Sequence, residues 1–229
     1  MKIHDILETE QIIEGPHDAH IFKAVFLAGG PGSGKSYVSD NLLKGKGLKP
    51  VNSDDVYEYL AKKHDIDLGD PEVVGGERGQ EIRQRAKEIT RTRENLYLDG
   101  RLGLIIDGTG KDITKVSAAK NQLNDLGYDT MMLFVNTSEE VAQERNANRP
   151  RRIPADMVTT MWKRVQDNIM KFQQVFGAAR FHVVDNSGGL EDPDRSVNFD
   201  KVYKETQKFL NEPPSKRAAK AWITKNTKT

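Results

Sequence analysis

Short, nearly all-apolar runs alternate along this chain with longer amphipathic or charged stretches. A run without polar positions is typical of a central parallel strand that is buried on both faces. On this basis the pattern predicts strands at residues 24–28, 48–52, 102–106, 131–135 and 181–184. The intervening stretches predict helices at residues 35–44, 77–97, 114–126, 138–146 and 154–176.

The order of strands and helices indicates the fold class. Strands that alternate with helices predict an α/β domain with a parallel sheet of about five strands and helices on both faces, here over residues 21–212. Residues 1–20 lack a strong period and contain Gly15-Pro16, which favours an N-terminal lead-in segment. Residues 213–229 begin with two prolines and carry several basic but no acidic side chains. We expect them to form a basic C-terminal tail that leaves the domain.

The composition restricts the class of protein. Lys and Arg number 35 against 34 Asp and Glu, a balance that does not indicate a dedicated nucleic-acid binder. The chain has no cysteine, which excludes disulfides, thiolate zinc sites and a cysteine nucleophile. No apolar run reaches the length of a membrane span, and the N-terminus lacks the apolar core of a signal peptide. We therefore expect a cytoplasmic protein without membrane contact.

Residues 29–36 read Gly-Gly-Pro-Gly-Ser-Gly-Lys-Ser, which fits the phosphate-loop pattern G-x-x-x-x-G-K-[ST]. The segment follows a predicted strand and opens a predicted helix, which is the context that this loop requires. Glycines let backbone N–H groups turn toward phosphates, Lys35 is expected to bridge the β- and γ-phosphates, and the Ser36 hydroxyl is expected to bind Mg²⁺. The pattern predicts a P-loop NTPase fold with nucleotide contacts from Gly30, Gly32, Ser33, Gly34, Lys35 and Ser36.

Phosphate loops serve kinases, switches and motor ATPases alike, so other residues must decide the function. The chain has no Asn-Lys-x-Asp motif of the kind that reads guanine, which disfavours a GTPase switch. The third predicted strand ends in Asp107-Gly108 without the Glu that polarises water in motor ATPases. A kinase instead needs an acid near the acceptor hydroxyl and must exclude water. The pattern favours an ATP-dependent phosphotransferase with an alcohol group as acceptor.

Carboxylates follow two of the predicted strands. Asp54-Asp55 comes after the second strand, and Asp107 comes after the third. Because the carboxyl ends of parallel strands meet at one crevice, we expect these acids near Lys35. We predict that Asp54 accepts the proton of the acceptor, and that Asp107 helps to bind Mg²⁺ or, with Thr109, contacts the acceptor. The structural alternative for Asp54-Asp55 is a pair of helix N-cap residues.

A cationic segment with two prolines separates two predicted helices at residues 145–154. Guanidinium groups bind phosphate oxygens in a bidentate way and can stabilise charge on a transferring phosphoryl group. We predict that this segment is a lid whose catalytic arginines are Arg145 and Arg149, with Arg151 and Arg152 as further candidates. The alternative is a solvated basic turn.

Residues 22–189 resemble P-loop kinases of the zeta-toxin and polynucleotide-kinase type. The resemblance is carried by the phosphate loop, Asn52-Ser53-Asp54-Asp55, residues 104–111, Arg145-Asn146-x-x-Arg149 and Val183-Val184-Asp185-Asn186. It implies that Asp54 acts on the acceptor hydroxyl and that Arg145 and Arg149 are the lid arginines. It also implies that Asn186 lies near the adenine, for which a plain turn residue is the alternative. Zeta toxins have Glu where this chain has Asp107, and polynucleotide kinases have an arginine where Tyr57 stands.

The resemblance leaves the acceptor open. Asp54-Asp55 and Asp107 favour a polynucleotide 5′-hydroxyl, whereas Gly108-Thr109-Gly110 favours a nucleotide sugar, as in zeta toxins. Of the two, we predict the polynucleotide 5′-hydroxyl, with the nucleotide sugar as the alternative. Two further classes are a non-catalytic ATP-binding regulatory module and an ATP-hydrolysing remodeller, the second of which is disfavoured by the missing Glu. The expected ligands are ATP and Mg²⁺. The expected partners are a nucleotide or nucleic-acid acceptor and, by the likeness to toxins, an inhibitory protein.

Overall fold

The computed structural model describes residues 17–149, 152–188 and 193–227. Five parallel strands form one sheet in the order β2-β3-β1-β4-β5. The strands are β1 Lys23–Ala28, β2 Lys49–Val51, β3 Leu104–Asp107, β4 Asp129–Asn136 and β5 Phe181–Asp185. Each overlaps one of the apolar runs that predict strands, and the predicted α/β fold is confirmed.

The central strand β1 is buried over its whole length and pairs with β3 on one side and β4 on the other. Leu27 pairs with Asp107, so the end of β1 lies beside the end of β3. Val51, at the end of β2, pairs with Ile106. The sheet therefore brings the segments after three of its strands to one edge, and these are the segments that carry the predicted chemistry.

Ten helices lie within the described residues: α1 Lys35–Leu42, α2 Ser53–Lys63, α3 Pro71–Gly75, α4 Glu77–Asp99, α5 Ile113–Asp125, α6 Glu139–Ala147, α7 Ala155–Gln166, α8 Ile169–Phe176, α9 Pro193–Asn211 and α10 Arg217–Asn226. A short 3₁₀ turn, Ala178–Arg180, leads into β5. The single helix predicted at residues 154–176 is wrong, because the chain breaks it at Asp167-Asn168. The buried Asn168 there donates its side-chain N–H to the Gly110 carbonyl at 3.0 Å.

Two hydrophobic clusters cover the two faces of the sheet. Ala24, Phe26 and Ala28 belong to a cluster that includes side chains of α4, α5, α8 and α10. Val25 and Leu27 belong to the opposite cluster, with side chains of α1 and α9. A third cluster joins α2 to α4. Because side chains alternate along β1 and both faces are covered, residues 24–28 of the strand form an uninterrupted apolar run.

The C-terminal segment packs against the domain rather than leaving it. Ala219 of α10 is fully buried in the first cluster, and the Trp222 ring packs edge-on against Phe22 with 5.5 Å between ring centroids. Ser215 donates its backbone N–H to Asp129 at 2.9 Å, and its hydroxyl donates to the same carboxylate. The expected departure of the tail is therefore wrong for residues 213–227. The apolar side chains of this basic helix cover one end of the core.

The predicted lead-in segment is described only from residue 17 onward, where turns precede β1; residues 1–16 lie outside the described residues. The exact domain limits at residues 20 and 212 stay predictions. Across residues 17–149, 152–188 and 193–227, no helix is both long and apolar enough to cross a lipid bilayer.

Candidate active site

The phosphate loop lies between the buried end of β1 and the start of α1. Gly32 and Gly34 have φ angles of 75° and 86°, which residues with side chains rarely adopt. A Cβ atom on Gly32 would overlap the Ala142 carbonyl oxygen, and one on Gly34 would overlap the Asn186 side chain. The glycines therefore let the loop pack directly against α6 and against the residue after β5.

The amino end of α1 is suited to an anion. Gly34 is its N-cap residue, and within the described part of the chain no side chain caps the helix and no acid lies in its first turn. The N–H groups at the start of a helix and the helix dipole both favour negative charge there. Ser36 is exposed in this first turn, Ser33 is buried in the loop, and Gly30 faces the backbone of Trp162.

Lys35 folds back over the loop and donates to the Gly29 carbonyl oxygen at 2.9 Å. Burial is the main cause that lowers the pKa of Lys35, and repulsion from the Arg149 charge lowers this pKa further. The charges of Asp107 and Asp54 raise the same pKa. The structure thus brings both acids and a second cation close enough to Lys35 for their charges to interact. An anion between the two cations would relieve their repulsion.

Asn52 organises the acids that follow β2 and β3. Its side-chain amide donates to Asp55 and to Asp107, at 3.0 Å each. Its side-chain oxygen accepts the Asp54 N–H at 2.8 Å, so Asn52 is the N-cap of α2. The alternative that Asp54-Asp55 caps the helix is therefore wrong, because both acids lie in its first turn with exposed side chains. Sequence reasoning assigned Asn52 no role, although Asn before an acid pair is an N-cap signal.

Asp107 is more buried than the acids of α2. Its Oδ2 accepts from Asn52, whereas its Oδ1 is buried and has no hydrogen-bond partner among the described residues. Burial raises the pKa of Asp107, Lys35 lowers it, and Asp54 raises it. Burial also raises the pKa of Asp55, and repulsion from Asp107 adds to that shift. The side chains here form an acidic group that a cation would stabilise.

A metal at this group would need ligands beyond the protein. In the part of the chain that the structure describes, no group of three or more His, Cys, Asp or Glu side chains is arranged to hold a metal ion. Mg²⁺ commonly binds through one or two protein oxygens and completes its shell with water and substrate phosphates. The Ser36 hydroxyl and the unpartnered oxygen of Asp107 fit that mode of binding.

Both predicted lid arginines lie at the phosphate loop. Arg145, in α6, directs Nη1 to the carbonyl oxygens of Gly32 and Ser33, at 3.5 Å each. Arg149 is exposed in the turn after α6, and its charge affects the pKa of Lys35. The two guanidinium groups therefore approach the loop from the same segment.

The segment between α6 and α7 is held by Asn146, a buried residue that sequence reasoning missed. Its side-chain N–H donates to the Ile153 carbonyl at 2.8 Å, and its side-chain oxygen accepts the Ile153 N–H at 3.2 Å. Arg152 donates to the Arg149 carbonyl at 3.2 Å, while Arg151 lies outside the described residues. The only sequence signal for Asn146 is its place between the two arginines.

Asn186 lies directly after β5 and is buried. Its side-chain N–H donates to the Ser33 carbonyl at 2.6 Å, so the structure places this residue against the backbone of the phosphate loop. Its own N–H donates to the Asn136 carbonyl at 2.9 Å. The contact with the nucleotide that the resemblance implies for Asn186 stays a prediction.

Thr109 lies half-buried in the loop after β3. Neighbouring backbone groups fix this loop: the Gly108 N–H donates to the Leu27 carbonyl at 3.0 Å, and the Gly110 carbonyl accepts from Asn168. Thr109 is thus held beside the end of β1, and its contact with substrate stays a prediction.

Comparisons with known proteins identify relatives of this fold. The profile of a family described as an AAA domain matches residues 25–172. A chain from the PezAT chromosomal toxin–antitoxin system of Streptococcus pneumoniae is 13% identical, with a TM-score of 0.58 over 92% of this chain and 95% of that chain. A chain of the Pnkp1/Rnl/Hen1 RNA repair complex is 21% identical, with a TM-score of 0.50 over 66% of this chain and 46% of that chain.

A chain of the AvrRxo1-ORF1:AvrRxo1-ORF2 complex with sulphate ions is 12% identical, with a TM-score of 0.59 over 100% of this chain and 89% of that chain. The same complex with ATP gives 13% identity and a TM-score of 0.55 over 98% of this chain and 89% of that chain. No curated protein matches the chain. At these identities the solved structures show a shared fold, and at that level they confirm the predicted resemblance.

Proposed function

The chain belongs to the AAA domain family, and we propose that it transfers the γ-phosphoryl group of ATP to a hydroxyl group of a nucleotide-like acceptor. The observation that carries the proposal is the environment of Lys35. This partly buried cation lies within charge interaction of Arg149, Asp54 and Asp107 at the phosphate loop. Two cations that repel each other suit a triphosphate, and the neighbouring acids suit a metal and a hydroxyl group.

In this proposal each residue has a distinct part. The loop N–H groups and Lys35 bind the β- and γ-phosphates, and Arg145 and Arg149 stabilise the γ-phosphoryl group as it moves. Asp54, exposed at the start of α2, orients the acceptor hydroxyl and takes its proton. The acceptor oxygen bonds to the γ-phosphorus, the bond from that phosphorus to the β–γ bridging oxygen breaks, and ADP leaves.

The likeness to the AvrRxo1-ORF1:AvrRxo1-ORF2 complex, which was solved with ATP, supports nucleotide binding by this fold. Ser36 and Asp107 are the residues that would hold Mg²⁺, the second of them through water. When bound there, the ion neutralises charge on the phosphates. Asp107 Oδ1, buried without a partner among the described residues, is the observation that fits this assignment.

For the acceptor we favour a polynucleotide 5′-hydroxyl. The acids Asp54, Asp55 and Asp107 resemble the acidic set of polynucleotide kinases, and one structural neighbour is a chain of an RNA repair complex. The alternative is a nucleotide sugar. It is supported by the fixed loop around Thr109, which resembles the Gly-Thr-Gly segment of zeta toxins, and by the likeness to the PezAT system.

An inhibitory protein partner is a further part of the proposal. Two of the neighbours come from systems with two components, the PezAT toxin–antitoxin system and the AvrRxo1-ORF1:AvrRxo1-ORF2 complex. Such a partner should lower phosphoryl transfer by the purified binary complex without requiring the loss of ATP binding, because the AvrRxo1-ORF1:AvrRxo1-ORF2 complex was solved with ATP. A complex that transfers phosphate as fast as the isolated chain would contradict inhibition by this partner.

The test is a transfer assay with γ-labelled ATP and Mg²⁺ against 5′-hydroxyl DNA and RNA, nucleosides and nucleotide sugars. Label should appear on one acceptor class and be lost with Lys35→Ala. Asp54→Asn should lower transfer by about 10²-fold or more while leaving ATP affinity within about threefold. Asp99→Asn, an exposed acid at the end of α4, is the matched control and should transfer normally.

The other outcomes favour other functions. ATP binding without transfer to any acceptor would favour the regulatory module and contradict the kinase. Rapid hydrolysis that needs no acceptor would favour the remodeller. Loss of ATP binding in Asp54→Asn would assign Asp54 a structural part rather than a part in proton transfer.

A further inference from the structure

Asn186 connects the end of the sheet to the phosphate loop. Its Nδ2 lies 2.6 Å from the Ser33 carbonyl oxygen, and the residue is only 2% exposed. Its backbone is anchored on β4, because its N–H donates to the Asn136 carbonyl at 2.9 Å. Its carbonyl accepts the Thr137 hydroxyl at 3.4 Å. The amide therefore reaches the loop from a fixed base.

The Asn186 amide lowers the stability of the fold through its oxygen atom. Its Oδ1 is buried and finds no hydrogen-bond partner in the described part of the chain, which is unfavourable for an amide oxygen. An apolar side chain would avoid that cost but could not donate to Ser33. The absence of a Cβ on Gly34 is what lets Nδ2 approach so closely. A need for the hydrogen bond to the Ser33 carbonyl explains both the unpartnered amide oxygen of Asn186 and the glycine at position 34.

The Ser33 carbonyl has a second donor in Arg145. Arg145 Nη1 lies 3.5 Å from the Ser33 and Gly32 carbonyl oxygens, at the long limit of a hydrogen bond, against 2.6 Å for Asn186. A carbonyl oxygen has two lone pairs and can accept both donors. When Arg145 turns toward a phosphoryl group, Asn186 still satisfies the Ser33 carbonyl, so the loop keeps its shape.

We propose that Asn186 is a positioning residue: it holds the Ser33 carbonyl out of the phosphate cradle and thereby lets Arg145 leave the loop for the transferred group. A carbonyl turned into the cradle would repel phosphate oxygens where the loop must present N–H groups. The first half of this inference concerns ATP binding alone. The second half rests on the proposed function, since it concerns the phosphoryl group in transfer.

The first test measures ATP affinity by calorimetry for Asn186→Asp and Asn186→Ala, each relative to the unmodified chain at the same pH. The Asp variant keeps the shape of the side chain but replaces the donor with an ionisable carboxyl group. Above about pH 7 its carboxylate repels the Ser33 carbonyl, so we expect affinity at least roughly tenfold weaker. As pH falls the protonated carboxyl group donates again, and the relative affinity should recover. The Ala variant should lose less, with a ratio that does not change with pH.

The matched control is Asn198→Ala. Asn198 donates its side-chain N–H to the Val183 carbonyl and accepts the Asp185 N–H at its side-chain oxygen, so it supports the same end of β5 without touching the loop. This control should bind ATP normally. If Asn186→Asp binds ATP as the unmodified chain does at every pH, or loses no more than Asn186→Ala at high pH, the side chain only fills space and the inference is overturned.

The second test is a double-mutant cycle on the transfer rate. Arg145→Ala should lower transfer by about 10²-fold in the unmodified chain but by less than about tenfold with Asn186→Ala, because Arg145 is then retained by the Ser33 carbonyl. Fully additive losses would overturn the second half of the inference. If the unmodified chain transfers no phosphate to any acceptor, the proposed function fails, and the ATP-affinity series still decides the first half.

Discussion

The buried Asp107 carboxylate lowers the stability of the folded protein. One carboxylate oxygen accepts from Asn52, but the other is buried without a partner in the described residues, and burial raises the pKa of the group. Asp54 lies close enough to raise that pKa further. Buried polar atoms in native proteins are nearly always satisfied, so an exception at a crevice indicates a site that a ligand completes.

We expect Asp107→Asn to stabilise the protein while it abolishes function. The amide keeps the bond with Asn52 and removes a buried charge, so the free energy of unfolding should rise by about 1 kcal/mol, or roughly 2–4 °C in the unfolding midpoint. Transfer should fall by about 10²-fold. Thermal unfolding and the labelled-ATP assay measure both, with Asp200→Asn, an exposed acid of α9, as the control. A less stable Asp107→Asn variant would contradict this account.

The stabilisation by Asp107→Asn should depend on pH with a definite sign. The folded state raises the pKa of Asp107, so the folded state binds this proton more tightly than the unfolded state. The cost of the ionised group is therefore largest above the folded-state pKa and disappears below the ordinary aspartate value of about 3.9. The difference in unfolding midpoint between the variant and the unmodified chain should shrink as pH falls. A difference that grows toward acid pH would show that the carboxylate is stabilised in the fold.

The buried Asn146 side chain anchors the segment between α6 and α7, which carries the predicted lid arginine Arg149. The Asn146 amide bonds the Ile153 backbone with both its donor and its acceptor, across the turn that includes Arg149. This ring of hydrogen bonds fixes the span of the turn, and Asn148, Arg149 and Arg152 are exposed within it. The arrangement suits a lid whose ends stay in place while its arginines move.

We expect Asn146→Ala to loosen this segment, because two buried backbone groups of Ile153 lose their partner. Limited trypsin digestion should then cut after Arg152 about tenfold faster, and bound ATP should slow the cutting if the arginines contact phosphate. Asn148→Ala, which makes the same chemical change at an exposed position of the same turn, should be cut at the normal rate. Equal rates in all three proteins would show that the anchor does not restrain the turn.

The strands were predictable because burial on both faces leaves long apolar runs, as at residues 24–28 of β1 and 131–135 of β4. The phosphate loop and the meeting of Asp54, Asp107 and Lys35 followed from motif spacing and parallel topology. No motif spacing or strand pattern indicated the three side chains that hold the site together, which are Asn52, Asn146 and Asn186. Each acts through contacts that are distant in sequence or specific to one turn, and a single polar residue does not reveal its partner.

The carboxyl ends and the amino ends of the strands have different roles in the whole molecule. The carboxyl ends of β1, β2 and β3 present the phosphate loop and the acids, while the amino ends of β1 and β4 are closed by the C-terminal segment. There the buried Lys23 forms an ion pair with Asp129 at 3.0 Å, and the Ser215 hydroxyl donates a hydrogen bond to the same carboxylate. Lys23 and Ser215 lie 192 positions apart, which explains why sequence reasoning expected the tail to leave the domain.

We expect Ser215→Ala to weaken the packing of the C-terminal segment against the domain without affecting the phosphate loop. Burial raises the pKa of Asp129, but hydrogen bonds from Ser215 and Lys23 outweigh it and lower the pKa overall. A lowered pKa means that this carboxylate stabilises the fold above about pH 4, and that the stabilisation is lost as pH falls through the folded-state pKa. Ser215→Ala should therefore lower the free energy of unfolding by about 1–2 kcal/mol at neutral pH.

Thermal unfolding between neutral and acid pH, together with ATP affinity, tests the role of the bond between Ser215 and Asp129. The destabilisation by Ser215→Ala should diminish as Asp129 becomes protonated, and ATP affinity should stay unchanged because the closure lies at the opposite edge of the sheet from the phosphate loop. Ser215→Thr keeps the hydroxyl group at an exposed position and should restore most of the stability. If Ser215→Ala instead weakened ATP binding while leaving the unfolding midpoint unchanged, the C-terminal segment would act on the site rather than on the core.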